Sequence, residues 1–166
     1  MFSAETETEN SLPQGVVLAQ IRARFWAAIL DELIVVVPAF IVVFIWALTT
    51  NDTKIGDGEY LLIAAVVAVV SATYHTVCVA VWGRTVGKLV THVRVVRVDT
   101  GGPTGWWYAG IRALVPTALG TIPAVGPYLV FPVYIMAFFD PRRQGVHDKA
   151  AGTIVVTDIK PTPSAL

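Results

Sequence analysis

The chain has 166 residues, 55% hydrophobic and only 14% charged, with 12 Lys and Arg balancing 12 Asp and Glu. Soluble proteins carry roughly 25% charged residues, so this composition leaves too little polarity to cover a soluble surface. Its neutral balance provides no field to draw in nucleic acid. The single cysteine, Cys78, excludes an internal disulfide and a Cys/His zinc cluster.

Residues 1–20 contain Glu5, Glu7 and Glu9 and no basic residue. A secretory leader begins positive and then turns apolar, so this stretch reads as a disordered acidic tail. A membrane domain is expected over residues 21–158, and residues 159–166 form a short C-terminal tail.

Phe25 to Leu48 is almost continuously apolar, broken by Asp31, Glu32 and Pro38. About 20 residues at a rise of 1.5 Å cross a hydrocarbon core of roughly 30 Å, so this run predicts a transmembrane helix. Tyr60 to Trp82 predicts a second, without a single Asp, Glu, Lys or Arg. Trp46 and Trp82, near the ends of these runs, suit the interfacial aromatic belt. Ala64, Ala65, Ala68, Ser71 and Ala72 give the second span a small-residue face that permits close helix contact.

Between the second and third apolar regions lies GRTVGKLVTHVRVVRVDTGG, whose HVRVVRV core reads as a strand followed by a turn. GTIVVTD at 152–158 is its natural partner, giving a small β-ribbon. The third apolar region, Trp106 to Phe139, is too long for one straight span and is punctuated by Pro116, Gly120, Pro123, Gly126 and Pro127. Arg22 and Arg24 precede the first span, Arg84, Lys88, Arg94 and Arg97 follow the second, and Arg142, Arg143 and Lys149 follow the third region. By the positive-inside rule all three basic clusters are cytoplasmic. The third region therefore crosses an even number of times, as a hairpin that is complete or re-entrant. The expected fold is an all-α polytopic helical bundle of the plasma membrane. It has two transmembrane helices, a third hydrophobic helical hairpin and a small cytoplasmic β-ribbon, with both termini cytoplasmic.

A charge within a span costs about 2.5–3.5 kcal/mol on insertion scales and marks a candidate functional position. Arg24 can snorkel at the membrane edge. Asp31 lies seven residues further on, about 10 Å deeper along the helix, on the same face but beyond direct reach of Arg24. It needs a partner from another segment, and Arg112, in the middle of WWYAGIRALVPTALG, is the expected one. The plainer reading of Arg24, Asp31 and Arg112 is an ion network that fixes helix packing. The sharper reading is that Asp31 takes up a proton or cation. Glu32 points about 100° away, toward the interface or a wet side. The second span carries a polar stripe of Ser71, His75 and Cys78; His75 suits a proton relay or plain interhelical hydrogen bonding. No G-x-S-x-G, H-E-x-x-H or phosphate-binding loop is present, and GRTVGK lacks the G-x-x-x-x-G-K-[ST] spacing. The chain is not expected to be an enzyme or to hold a cofactor.

Taken in order, RARFWAAILDELIVV, GRTVGKLVTHVRVVRVDTGGPTGW, YAGIRALV and RRQGVHDKAAGTIVV resemble the RDD family of bacterial and archaeal membrane proteins, named for an arginine and two aspartates. The resemblance covers about residues 20–157. It matches Arg24 and Asp31 to the family's arginine and first aspartate, Arg112 to a common arginine, and Asp148 to the second aspartate. Glu32 directly after Asp31, and Leu89 after Lys88, depart from the pattern. His147 and Asp148 fall on the same side as Arg84 and Lys88. Asp148 is thereby open to hydrogen bonds from the GRTVGK turn, to pairing with those cations, or to capping a helix beginning at Lys149. The resemblance implies a membrane protein whose suggested activity is transport, including cation–proton exchange. On residues alone two functions stand: a small transporter or transport component, working as a homo-oligomer, or a non-enzymatic accessory or scaffold that binds another membrane protein.

Overall fold

The computed structural model describes residues 16–50, 56–120, 122 and 125–158. The acidic run at 1–15, the tail at 159–166 and Pro123 lie outside the described residues.

Two long helices dominate: α1, Ile21–Thr50, and α2, Asp57–Trp82. Both are long and apolar enough to cross a membrane. α1 contains the β-branched run Ile34-Val35-Val36-Val37 and Pro38, which would be poor helix formers in water. In hydrocarbon every backbone polar group must be satisfied within the segment, and that favours the helix regardless. α2 starts with the Glu59 carboxylate accepting the Gly56 N–H at 3.0 Å. It stops at Gly83, which is left-handed at φ 68° and donates to the Val79 carbonyl at 3.0 Å.

A short helix follows, α3 at Val86–Val90, and then β1 at Val93–Arg97. The third apolar region forms α4, Gly105–Gly120, and α5, Gly126–Ile135, extended by a 3₁₀ turn at Met136–Phe138. α4 has 16 residues and α5 has 10, each short of the roughly 20 needed for a straight crossing. The chain ends with α6, Val146–Ala150, and β2, Thr153–Thr157. α2 packs chiefly against α4, and α1 chiefly against α3, while α1 and α2 touch each other little.

β1 and β2 pair antiparallel with Val93 opposite Thr157 and Arg97 opposite Thr153, as the strand patterns predict. Residues 16–20, placed in the tail on sequence, belong instead to this sheet region. Leu18 bridges Val156, the Ala19 N–H donates to the Val155 carbonyl at 3.0 Å, and the Thr157 N–H donates to Val17 at 2.9 Å. The run Val16-Val17-Leu18-Ala19 is apolar enough to cover the free edge of β2. Alternation then sorts the side chains by face. Val93, Val95 and Val155 pack with Ala19 against Ala27 of α1, Val79 of α2 and Ala109 of α4. Val96, Ile154 and Val156 pack with Val16, Leu18 and Val98 on the other face. The sheet thus joins the long helices at one end, where nearly all the buried charge also lies.

Candidate functional site

Two buried carboxylates organise this end. Asp31, 1% exposed, sits about one turn past Ala27, where α3 lies close against α1. A Cβ at Gly87 would fall 2.2 Å from the Ala27 carbonyl oxygen and 2.9 Å from Asp31, so only glycine allows this approach. Asp31 Oδ1 accepts the Gly87 N–H at 2.8 Å and the Tyr74 hydroxyl at 2.9 Å. Oδ2 accepts the Thr85 hydroxyl at 2.5 Å and the Lys88 ammonium at 3.3 Å. Tyr74 in turn accepts the Val86 N–H at 3.0 Å. The first turn of α3 exposes N–H groups with no partner in the helix, and Asp31 and Tyr74 satisfy two of them. Lys88 also donates to Thr85 Oγ1 at 3.1 Å. Burial, with Arg112 adding to it, pulls the Lys88 ammonium down to about 8, against the hold of Asp31 and Asp148.

Asp148 is fully buried within the first turn of α6. Its carboxylate pairs with Arg24 through Oδ2 and with Arg112 through Oδ1, and Oδ2 also accepts the Gly145 N–H at 3.2 Å. Burial pushes this acid up, but Arg112, His147 and Arg24 together hold it far below the usual carboxylate range. The guanidinium groups tie in the neighbouring chain. Arg24 donates to the Arg143 carbonyl, Arg112 to Thr153 Oγ1 at 3.3 Å, and Arg143 to the Ala19 carbonyl at 3.2 Å. Gln144 Nε2 donates to the Thr153 carbonyl at 2.8 Å. Arg24, Arg112 and Asp148 thereby bind α1, α4, α6 and β2 into one unit.

The partners differ from those expected. Arg112 pairs with Asp148 and not with Asp31, and Asp148 does not meet the GRTVGK turn. The turn belongs to Asp31, because α3 folds back on α1 while α6 brings Asp148 under α4. The helix around Asp148 begins at Val146, so the acid lies inside it and does not precede it. His147 is buried with its ring 4.8 Å from Tyr134 and its Nε2 3.6 Å from Asp148. Burial above all, with Arg112, Arg24 and Lys88 adding to it against Asp148, pulls His147 down to about 3, so it is neutral at ordinary pH. Its Nδ1 has no hydrogen bond among the described residues. His75 is half-buried on α2, its ring 5.1 Å from Tyr74. Glu32 stays exposed on the outer side of α1, in a shallow apolar groove with Ile29, Leu33 and Val36.

Sequence reasoning missed Tyr74, Thr85 and Gly87 as partners of Asp31, and Thr153 as a partner of Arg112. Thr85-Val86-Gly87-Lys88 did carry a signal: a hydroxyl, a backbone donor and an ammonium within four residues suit a carboxylate. Among the described residues no group of three or more His, Cys, Asp or Glu could hold a metal ion.

The chain is 28% identical over 144 residues to the uncharacterized membrane protein YteJ of Bacillus subtilis (strain 168), covering 80% of this chain and 77% of that protein. No solved structure matches it. The RDD family model matches residues 18–152, the stretch that runs from Leu18 beside β2 through both buried carboxylates to the residue before β2. With two helices able to cross a membrane and a family match over most of its length, the chain is a membrane protein that belongs to the RDD family.

Proposed function

We propose that this protein is a non-enzymatic transport component of the plasma membrane that exchanges a cation for protons, with Asp31 as the ionisable centre. One observation carries the reading. Asp148 is neutralised by two arginines, which keep their charge at any ordinary pH, whereas Asp31 is neutralised by a lysine, which can lose its proton when buried. Of the two clusters, only the one around Asp31 has a partner that can give up its proton, and an incoming cation would then balance the carboxylate left behind. Arg24, Arg112 and Asp148 are then the rigid frame against which it works.

The basic residues around the sheet support a cytoplasmic position for it and for both termini. The short α4 and α5 suit a re-entrant hairpin that enters from that side. So few helices enclose little volume, so the transporting form is a homo-oligomer that meets through the small-residue and apolar faces of the long helices.

The test is proton and sodium flux in liposomes holding the purified chain, beside Asp31→Asn. A cation-dependent pH change that the substitution abolishes while the protein stays folded is expected. Absence of flux in the wild type under varied cations and pH gradients would sink the reading.

A second reading is favoured by the little contact between α1 and α2 and the apolar surface both present, such as the stacked Phe40 and Phe44. In it the chain is a scaffold that binds another membrane protein, and Asp31 is a permanent clamp on α3. Crosslinking in the native membrane to a distinct protein, together with absent flux, would select it.

A further inference from the structure

Near the sheet end, α1, α2 and α4 carry Trp26, Trp82 and Trp106, and Phe139 follows the 3₁₀ turn after α5; all four are more than half exposed. Aromatic rings turned outward from four elements at one end mark the level of a membrane interface. α3 begins four residues past Trp82 and has two unlike sides. Its inner side holds Gly87 against Ala27 and Lys88 against Asp31. Its outer side turns Val86, Leu89 and Val90 outward, each about half exposed. Together with Trp82 they make a surface too apolar for water and suited to acyl chains.

Arg84 stands between Trp82 and α3. The Val95 N–H donates to the Gly83 carbonyl at 2.7 Å, which fastens this loop to the edge of β1 away from β2. The Asp158 N–H donates to the His92 carbonyl at 2.8 Å, which brings the residue after β2 alongside. Arg84 pairs with one oxygen of Asp158, and Arg94 lies 3.8 Å from the other. Two guanidinium groups thus share one carboxylate and leave one positive charge in excess. The Arg94 side chain is 52% exposed, and a guanidinium has five N–H donors, so this pair can take a second anion.

We propose that Arg84 and Arg94 bind the phosphate of an anionic phospholipid whose acyl chains run along Trp82 and the outer side of α3. The inference rests on the membrane position of the helices and not on the transport reading. The planar fork of arginine matches phosphate oxygens in pairs. The excess charge selects the headgroup: a zwitterionic lipid brings its own ammonium, which the uncompensated guanidinium repels, whereas an anionic lipid leaves the site neutral. A soluble phosphate would meet the same donors but leave Trp82 and the outer side of α3 bare. The lipid thereby holds the outer side of the helix whose inner side carries Gly87 and Lys88 to Asp31.

The experiment uses the full chain in a non-ionic detergent at low salt, titrated with dioleoyl phosphatidylglycerol or dioleoyl phosphatidylcholine. Native mass spectrometry reads the lipid retained. Phosphatidylglycerol should bind about tenfold more tightly, the scale of one charge-assisted hydrogen bond. Arg94→Gln should remove that preference while thermal unfolding without lipid still shows a folded protein, and Arg84→Gln serves should the first variant not fold. Asp158→Asn frees both guanidinium groups and should tighten phosphatidylglycerol binding. Arg22→Gln removes another exposed charge, one turn before Trp26, and should leave the preference in place. Equal retention of the two lipids by the wild type overturns the proposal. So does an equal loss in Arg22→Gln and Arg94→Gln, which would mean attraction by overall charge alone. No tightening in Asp158→Asn would mean that the excess charge does not select the headgroup, and overturns it too. Displacement of the lipid by glycerol phosphate at equal concentration would assign the arginines to a soluble phosphate and reject the lipid.

Discussion

Asp31 and Asp148 are both buried carboxylates at the same end of the molecule; Asp31 accepts a backbone N–H from α3, and Asp148 accepts that of Gly145, just ahead of its own helix α6. Their counter-charges separate them. Asp148 sits between two guanidinium groups whose other N–H groups reach the Arg143 carbonyl and the Thr153 hydroxyl. Asp31 meets one ammonium and two hydroxyls, from Lys88, Thr85 and Tyr74. Arginine offers a fixed planar fork and a permanent charge, while lysine offers a single point on a flexible stem that can become neutral. The difference teaches that burial alone does not assign a role to a carboxylate; the chemistry of its partner does.

The strongest challenge to that contrast is to remove each carboxylate in turn. Asp148→Asn strands two arginines that cannot discharge, and breaking a buried pair from one side costs about 3–5 kcal/mol. Asp31→Asn leaves Lys88, which can shed its proton, and keeps a carbonyl oxygen for the Gly87 N–H. Its cost should be about 1–3 kcal/mol, that of imperfectly satisfied hydrogen bonds. Unfolding in detergent compares the two. Equal losses would break the distinction between a permanent and an exchangeable cluster.

Next in size is the contact that lets α3 reach Asp31. Gly87→Ala places a Cβ against the Ala27 carbonyl, and overpacking of this kind costs about 1–3 kcal/mol. The variant should also loosen the Asp31 cluster while sparing Asp148. Hydrogen exchange at Val86 and Gly87 reports this, and unchanged protection there would show that α3 does not depend on the close approach.

Much of this end of the molecule was legible beforehand, and the reason for each gap is physical. Arg24, Asp31 and Arg112 stand out because a charge in an apolar run is costly wherever the run packs. The strands at 93–97 and 153–157 stand out because β-branched residues alternate there between turn signals. Pairing was not legible. The 1.5 Å rise gives depth along one helix, but which cation meets which carboxylate depends on how α3 and α6 fold back. That is settled by single backbone contacts such as Gly87 against Ala27. Residues 16–19 were hidden for another reason: four apolar residues after an acidic run resemble a tail until the free edge of β2 needs them. The short α4 was legible as WWYAGIRALVPTALG, but the length of α5 was not, since prolines mark where helices break and not how long each piece becomes.

The smallest expected effect lies at the rim of the sheet, where the same chemistry occurs in contact with water. Asp158 pairs with Arg84 and lies 3.8 Å from Arg94, with side chains about a third or more exposed on all three. Exposed pairs contribute about 0.2–1 kcal/mol because water already solvates both partners and salt screens them. Asp158→Asn should therefore lower stability only within that range, and the loss should vanish at high salt. The cost of Asp148→Asn should persist there, since ions do not reach a fully buried pair. Measuring both variants at low and high salt sets an exposed carboxylate beside Arg84 and Arg94 against a buried one between Arg24 and Arg112. A salt-insensitive loss at Asp158 would mean that its pair is desolvated by something packed over the sheet, and the rim would then belong to the same rigid frame as Arg24, Arg112 and Asp148.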